Sequence, residues 1–267
     1  MYTFIRSFVD QKERLMDNEI IIDFTTLEFI RPAGVTTLYN IINWLLFRDV
    51  TVKAKTPIYT TAVRQRNPIK YLDDCGFFEL FLGKKQFSYS ILRRTTIPLK
   101  KVACEESTSW LHDVFVDWLM KILSPLKDPR GFSGIRACFQ EIFDNIKNHS
   151  SRNTGCSFAQ HYPNKNEIVV AISDFGVGIP YNVKQVPVHA NVDDAQALEL
   201  AIQEGFSTKT SPRNRGAGLE ILFHCWLQAS ILAPCLRLYL KQTPYIRSQT
   251  KRIFHGDKNY GSYPTML

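Results

Sequence analysis

The sequence lacks the features typical of membrane, secreted and zinc-binding proteins. No apolar run reaches the roughly 18 residues that a transmembrane helix needs. The N-terminal stretch is charged early and has no apolar centre, so we expect no signal peptide and a cytoplasmic protein. The six cysteines are far apart and form no C-x-x-C pair, which argues for reduced thiols rather than a zinc site or a disulfide framework.

Repeats and low-complexity segments are also missing, and the composition is that of a folded protein. The 267 residues are 45% hydrophobic and 12% aromatic, enough for one large or two smaller domains. The formal net charge of +8, with basic pairs such as Lys84-Lys85 and Arg93-Arg94, leaves a nucleic-acid partner open. No basic stripe with interleaved aromatic residues supports that partner, so a solvated basic surface is favoured.

Strand and helix patterns alternate over the first 90 residues. The apolar run "EIIIDF" predicts a buried strand, "AGVTTLYNIINWLLF" a helix and "DVTVKA" a second strand. Residues 58–76 are predicted to be helical, with a second helix beginning at Pro68 and Gly76 at its end. "FFELF" then predicts a short strand. We therefore predict an α/β domain over 1–90.

The remainder, 91–267, is predicted to be a second α/β domain in which helices are layered on a mixed sheet. Helices are expected at 107–123, where a Ser or Thr is a candidate cap, and at 133–150, 192–205 and 218–229. Strands are expected at 156–162 and 167–174, joined by the turn "PNKN", and the tail after 235 is β-like. A polar loop spans 206–215.

Three segments of this second domain carry residues suited to nucleotide chemistry. Helix 133–150 presents Glu141, Asp144, Asn145 and Asn148 at spacings of three and four, and a carboxylate with an amide one turn later suits Mg²⁺ and phosphate chemistry. An ordinary polar helix face explains the same spacing.

The second segment is "SDFGVGI", in which Asp174 ends a strand and can accept a hydrogen bond from an exocyclic amino group. Gly176 and Gly178 allow close backbone approach to a ligand, and an ordinary glycine turn is the alternative.

The third segment is "RGAGLEIL", where glycines at the start of a helix expose N–H groups to an anion. The residues that this segment and the loop before it contribute to a phosphate lid are Lys209, Arg215, Gly216, Gly218 and Leu219. A flexible linker gives the same pattern.

The order of the three motifs resembles the ATP-binding fold shared by gyrase, histidine kinases, heat-shock chaperone ATPases and MutL, the GHKL superfamily. "EIFDNIKNHS" is similar to its N box, and "DFGVGI" and "RGAGLEIL" are similar to its glycine boxes. The resemblance covers about residues 105–240. No helix with a phosphoacceptor histidine is apparent upstream, so a sensor histidine kinase is not expected. The spacing between "ALELAIQEGFSTK" and "RGAGLEIL" is more like that of the bacterial anti-sigma-factor serine kinases and related stand-alone ATPases.

The resemblance implies a role for each motif residue. Glu141 would act as base or orient water, Asn145 would coordinate Mg²⁺, and Asp174 would bind the adenine amino group, aided by Gly176 and Gly178. Gly216 and Gly218 would form the hinge and the phosphate-contacting end of the lid. The implied cofactors are ATP and Mg²⁺.

The N-terminal unit resembles a STAS domain, the fold of anti-anti-sigma factors. The similar stretch is Phe29–Gly34, in which Ala33 stands where those proteins carry the phosphorylated hydroxyl residue and Arg31 where they carry an acid. We expect an ATPase or a serine/threonine kinase that switches protein partners. The alternative is a nucleotide-gated binding module without catalysis, similar to an antitoxin. A homodimer is compatible with either.

Overall fold

The computed structural model describes residues 4–5, 7–10, 14–57, 67–123, 132–149, 154–174, 176–203, 206 and 236–242. In this part of the chain, helices pack on two sheets of two and four strands. The predicted α/β class is therefore confirmed. No helix in these ranges is long and apolar enough to cross a membrane.

The smaller sheet is built from a strand–helix–strand unit. Strands β1 (Glu19–Asp23) and β2 (Thr51–Lys55) pair in parallel, with helix α1 (Pro32–Leu46) between them. Proline in the first turn of α1 suits a helix start, because that turn's N–H groups need no partner within the helix. Burial alternates along β1, and Ile21 is 58% exposed between two buried isoleucines. The sequence predicted a buried strand, but only one face of β1 is buried and the other is exposed.

Two short helices follow. Helix α2 (Pro68–Asp74) begins at Asn67, whose side-chain oxygen accepts from the backbone N–H groups of Ile69 and Lys70. Gly76, in the left-handed conformation at φ 85°, separates α2 from helix α3 (Phe77–Leu82). The prediction of a strand for "FFELF" is wrong. Phe77 and Phe78 both pack into the same buried cluster, which adjacent residues of a strand do not do because they point to opposite faces.

The larger sheet has the strand order β3-β4-β5-β6. Its members are β3 (Thr96–Ala103), β4 (Thr154–Tyr162), β5 (Glu167–Asp174) and β6 (Leu236–Gln242). Strand β4 pairs antiparallel with both β3 and β5, whereas β5 and β6 run parallel. The sheet is therefore mixed, and Asp174 is the last residue of a central strand.

Helices α4 and α5 cover one face of this sheet. Helix α4 consists of Ser107–Ser109, a π-helical stretch Trp110–Val116, and Asp117–Ile122, and α5 is Ser133–His149. The π-helical stretch lets Trp110 stack on Phe115, with ring centroids 5.8 Å apart, and Phe115 then meets Phe139 of α5 at 4.7 Å. Ser107, the expected cap, instead donates its hydroxyl to the carbonyl of Cys104.

The opposite face of the larger sheet is covered by the N-terminal unit. Cys156 and Phe158 of β4 belong to the same buried cluster as α1, whereas their neighbour Ala159 belongs to the cluster of α4 and α5. Helix α1 contacts β4 and β5 as well as β2, and it is buried over most of its circumference. We call the two sides of the sheet the α5 face and the α1 face.

A bulge in β3 adds a second connection between the two parts. The register with β4 shifts between Ile97 and Lys100, and Leu99 turns into the cluster on the α1 face. Its N–H donates to the carbonyl of Cys75 over 2.9 Å. Two further helices follow β5, α6 (Ile179–Lys184) and α7 (Asp194–Ala201), and α7 begins with a capping box between Asp193 and Gln196.

Candidate functional site

Asp174 lies at the end of β5 with its side chain on the α5 face. Its register partner is Gly155 of β4, and a Cβ placed on that glycine would lie 3.1 Å from both Phe143 Cε1 and Ile146 Cδ1 of α5. Real Cβ contacts are rarely so short, so a side chain at Gly155 would require these α5 side chains to shift by a few tenths of an ångström. Because cross-strand partners share a face, the Asp174 carboxylate lies on the side of the sheet that α5 covers.

The carboxylate of Asp174 is 4% exposed and is held by the loop that follows it. Its Oδ1 accepts from the N–H of Gly176 over 2.6 Å. Burial raises the pKa of Asp174, and the Gly176 hydrogen bond opposes that shift. Gly178 has φ 83°, a conformation that side chains disfavour, and it immediately precedes α6. The strand end, the buried acid and the glycine turn thus occur together at Asp174.

Glu141 and Asn145 occupy successive turns at the margin of the buried side of α5. Both are partly buried, while Ile142, Phe143 and Ile146 are fully in the core. Burial, reinforced by the negative charge of Asp144, raises the pKa of Glu141. Among the described residues, the Asn145 Nδ2 group is buried and has no hydrogen-bond partner. A buried donor without a partner is costly, and a ligand oxygen would satisfy it.

Cys104 is buried just before α4. Burial is the main cause that raises the pKa of its thiol to about 11, and the negative charges of Glu105, Asp144 and Asp174 add to the rise. Asp144 also accepts from Gln140 Nε2 over 3.1 Å, so it is engaged within its own helix. Cys104 gave no signal in the sequence beyond its apolar surroundings.

The resemblance implies ATP and Mg²⁺ as cofactors, and both need oxygen and nitrogen ligands from the site residues. In the described part of the chain, no group of three or more His, Cys, Asp or Glu side chains is placed to hold a metal. Mg²⁺ at nucleotide sites usually takes most of its ligands from phosphates and water, so one amide oxygen from Asn145 suits it. The buried Asn145 amide and the Asp174 carboxylate are both groups that can bond polar atoms of a ligand.

The predicted lid residues lie outside the described residues. These are Lys209, Arg215, Gly216, Gly218 and Leu219. Their roles therefore stay predictions.

One residue that sequence reasoning missed contacts the site from behind. Asn40 of α1 donates its Nδ2 to Ser173 Oγ over 2.8 Å and to the carbonyl of Asp174 over 3.1 Å. All three residues are at most 5% exposed. The available signal was a polar residue within the apolar run "LYNII" of a predicted helix, because a buried amide needs partners.

Comparison of the chain with protein-family models, with curated proteins and with solved structures finds no match. The function must therefore be argued from the residues and their arrangement.

Proposed function

We propose that this chain is a Mg-ATP-binding regulatory protein of the histidine kinase-like (GHKL) ATPase superfamily. The observation that carries the proposal is a buried Asp174 at a strand end, on the sheet face covered by α5, the helix that also carries Glu141 and Asn145. The first two sequence motifs supply these residues in the expected chain order, and the third motif lies outside the described residues. The four buried free thiols of the described part fit a reducing compartment, so the proposal includes a cytoplasmic location.

Each described residue has a defined task in this proposal. The Asp174 carboxylate accepts a hydrogen bond from the adenine amino group, while the Gly176 N–H keeps the carboxylate oriented. The Gly178 turn brings the backbone close to the nucleotide. Asn145 would hold Mg²⁺ through its amide oxygen and a phosphate oxygen through its buried Nδ2. When bound, Mg²⁺ would supply positive charge to neutralise the phosphates.

Glu141 serves as the general base in the chemical step. A base must accept a proton from water or from a hydroxyl, and a raised pKa strengthens a carboxylate in that task. The acceptor is water in hydrolysis and a partner's Ser or Thr in phosphotransfer. In both cases the proton of the acceptor passes to the Glu141 carboxylate, the acceptor oxygen bonds to the terminal phosphorus, and ADP departs with the electrons of the broken P–O bond.

A thermal-shift experiment tests nucleotide binding. Mg-ATP at 100 times its dissociation constant should stabilise the protein by about 2.7 kcal/mol, which for a chain of this size is roughly 5–10 °C in Tm. Asn145→Ala should lose the Mg²⁺-dependent part of this shift. Asn18→Ala, at an exposed asparagine, is the matched control. A wild-type protein that carries no bound nucleotide and shows no shift with Mg-ATP would refute the proposal.

The STAS-like prediction for the N-terminal unit motivates a second candidate function. The strand–turn–helix–strand order around Phe29–Gly34 is consistent with that prediction. Ala33, in the first turn of α1, has no hydroxyl to phosphorylate, and its carbonyl accepts hydrogen bonds from Thr36 and Thr37. This favours a nucleotide-gated binding module in which ATP changes the surface offered to a protein partner or to a second copy, without turnover.

Radiolabelled ATP separates the two functions. Released phosphate, or label on a protein partner, supports the enzyme, whereas tight binding with neither supports the binding module. Binding to DNA or RNA that weakens steeply with salt would instead point to a nucleic-acid partner.

A further inference from the structure

We propose that Asn40 is a positioning residue that fixes the backbone of β5 at Asp174, so that the N-terminal unit controls adenine recognition from the α1 face of the sheet. The inference rests on the proposed ATP site and names a means of regulating it. It does not require any chemistry at the N-terminal unit itself.

The contact is specific in geometry. One Nδ2 group supplies both of its hydrogens, the first to Ser173 Oγ at 2.8 Å and the second to the Asp174 carbonyl at 3.1 Å. Ser173 faces α1 because residues alternate along a strand, and the next residue, Asp174, directs its side chain to the α5 face. Asn40 therefore bonds to the main chain of Asp174 from the α1 face, while the side chain of Asp174 lies on the α5 face.

The neighbouring polar residues of α1 do not share this property. Thr36 and Thr37 are each 1% exposed, yet their hydroxyls donate to the carbonyl of Ala33 inside the same helix. Asn40 instead reaches across 133 residues of sequence to β5. A displacement of α1 by about 1 Å would break its two hydrogen bonds, because such bonds weaken steeply with distance and angle.

The consequence follows from thermodynamic linkage. If α1 holds Asp174 in the orientation that accepts the adenine amino group, any event that shifts α1 changes nucleotide affinity, and nucleotide binding strengthens the α1 contact by the same factor. The N-terminal unit then acts as a sensor whose output is adenine affinity.

The test compares Asn40→Ala with the control Thr37→Val, which removes a hydrogen bond inside the same helix and leaves both Asn40 side-chain bonds in place. Dissociation constants are measured for Mg-ATP and for Mg-ITP, which lacks the amino group. We expect Asn40→Ala to reduce the preference for ATP over ITP by roughly fivefold to tenfold, a common size of coupling between sites. Thr37→Val should leave the preference within about twofold of wild type.

Hydrogen–deuterium exchange supplies a measurement that needs no nucleotide. The Gly176 N–H, bonded to Asp174 Oδ1, should exchange roughly fivefold faster in Asn40→Ala than in Thr37→Val. Ser173→Ala keeps the bond to the Asp174 carbonyl, and its effect should lie between the two. Equal exchange and equal ATP preference in Asn40→Ala and Thr37→Val would overturn the proposal.

The same measurements separate this proposal from the proposed function. If neither nucleotide binds wild type, the ATP site is refuted, and with it the control of adenine recognition. Faster Gly176 exchange in Asn40→Ala would then still establish that Asn40 positions the strand end. If wild type binds ATP and the two variants do not differ, only the role of Asn40 is refuted.

Discussion

Asp174→Asn should stabilise the fold and weaken adenine recognition in the same molecule. The wild-type carboxylate is 4% exposed, and burial raises its pKa above the value it has in the unfolded chain. Over the pH range between those two values the native state binds more protons than the unfolded state, so stability is lost as pH rises through the folded pKa. The side-chain amide of Asp174→Asn has the same shape but does not titrate, so the loss of stability with rising pH disappears.

The magnitude follows from the same contacts. Each unit by which the pKa is raised corresponds to about 1.4 kcal/mol of stability at neutral pH, or roughly 3–6 °C in Tm for a chain of this size. The amide oxygen can still accept from the Gly176 N–H at 2.6 Å. With its oxygen bonded to Gly176, the variant's amide places its NH₂ group where the second carboxylate oxygen of the wild type lies. An NH₂ group cannot accept a hydrogen bond from the adenine amino group. Losing a hydrogen bond to a charged group costs about 1.5–3 kcal/mol, or roughly 10- to 150-fold in affinity for ATP.

Urea unfolding at pH 7 and near pH 4, together with titrations of Mg-ATP and Mg-ITP, measures both effects. The stability gain of Asp174→Asn should shrink toward pH 4, because the wild-type carboxyl becomes protonated there. ITP affinity should change little. An Asp174→Asn protein that is less stable at pH 7, or that binds ATP and ITP as wild type does, would refute the reasoning.

Three further predictions concern catalysis, a loop anchor and the α1 face. Glu141→Gln should retain ATP binding but lose turnover by about 100-fold or more; wild-type turnover should rise with pH through the pKa of Glu141, which burial and Asp144 raise, and an unchanged rate in the variant would remove this role. Asp73→Ala should lower the free energy of unfolding by about 3 kcal/mol in urea, because its buried carboxylate accepts from two backbone N–H groups at 2.8 and 2.9 Å; the exposed Asp17→Ala should cost little, and an equal cost would contradict the assignment. Phe158→Ala should cost about 3–5 kcal/mol and shift one common calorimetric transition of both parts of the chain; two transitions, of which one moves, would show that they unfold separately.

Local patterns were sufficient to predict much of the secondary structure. The strand–helix–strand order of the N-terminal unit, helix α5 and strands β4 and β5 all follow from apolar periodicity. The strand prediction for "FFELF" was wrong because strand propensity is a property of single residues. It does not take into account Gly76, whose left-handed conformation precedes the helix that begins at Phe77. The π-helical stretch in α4 was not predicted, because apolar periodicity does not distinguish a short π-helical stretch from an α-helix.

Contacts between distant segments were harder to predict. The run "IVVAIS" of β5 is apolar at consecutive positions, a pattern that indicates burial on both faces of a sheet. That pattern indicated that something covers the second face, but not that α1 does. Asp174 was predicted as a site residue from its motif alone, and that role stays a prediction. Its partner Asn40 was not predicted, because no local rule relates two residues 134 positions apart.

The packing of α1 against the larger sheet also gives the protein a built-in chemical reporter. Cys75 and Cys156 lie in the cluster on the α1 face, and burial raises the pKa of each thiol, that of Cys75 to about 12. Since the thiolate is the species that alkylating reagents attack, both side chains should be inert while the face is closed. The rate at which the two thiols are alkylated therefore records how often α1 separates from the sheet, and the measurement needs no added probe and no substitution.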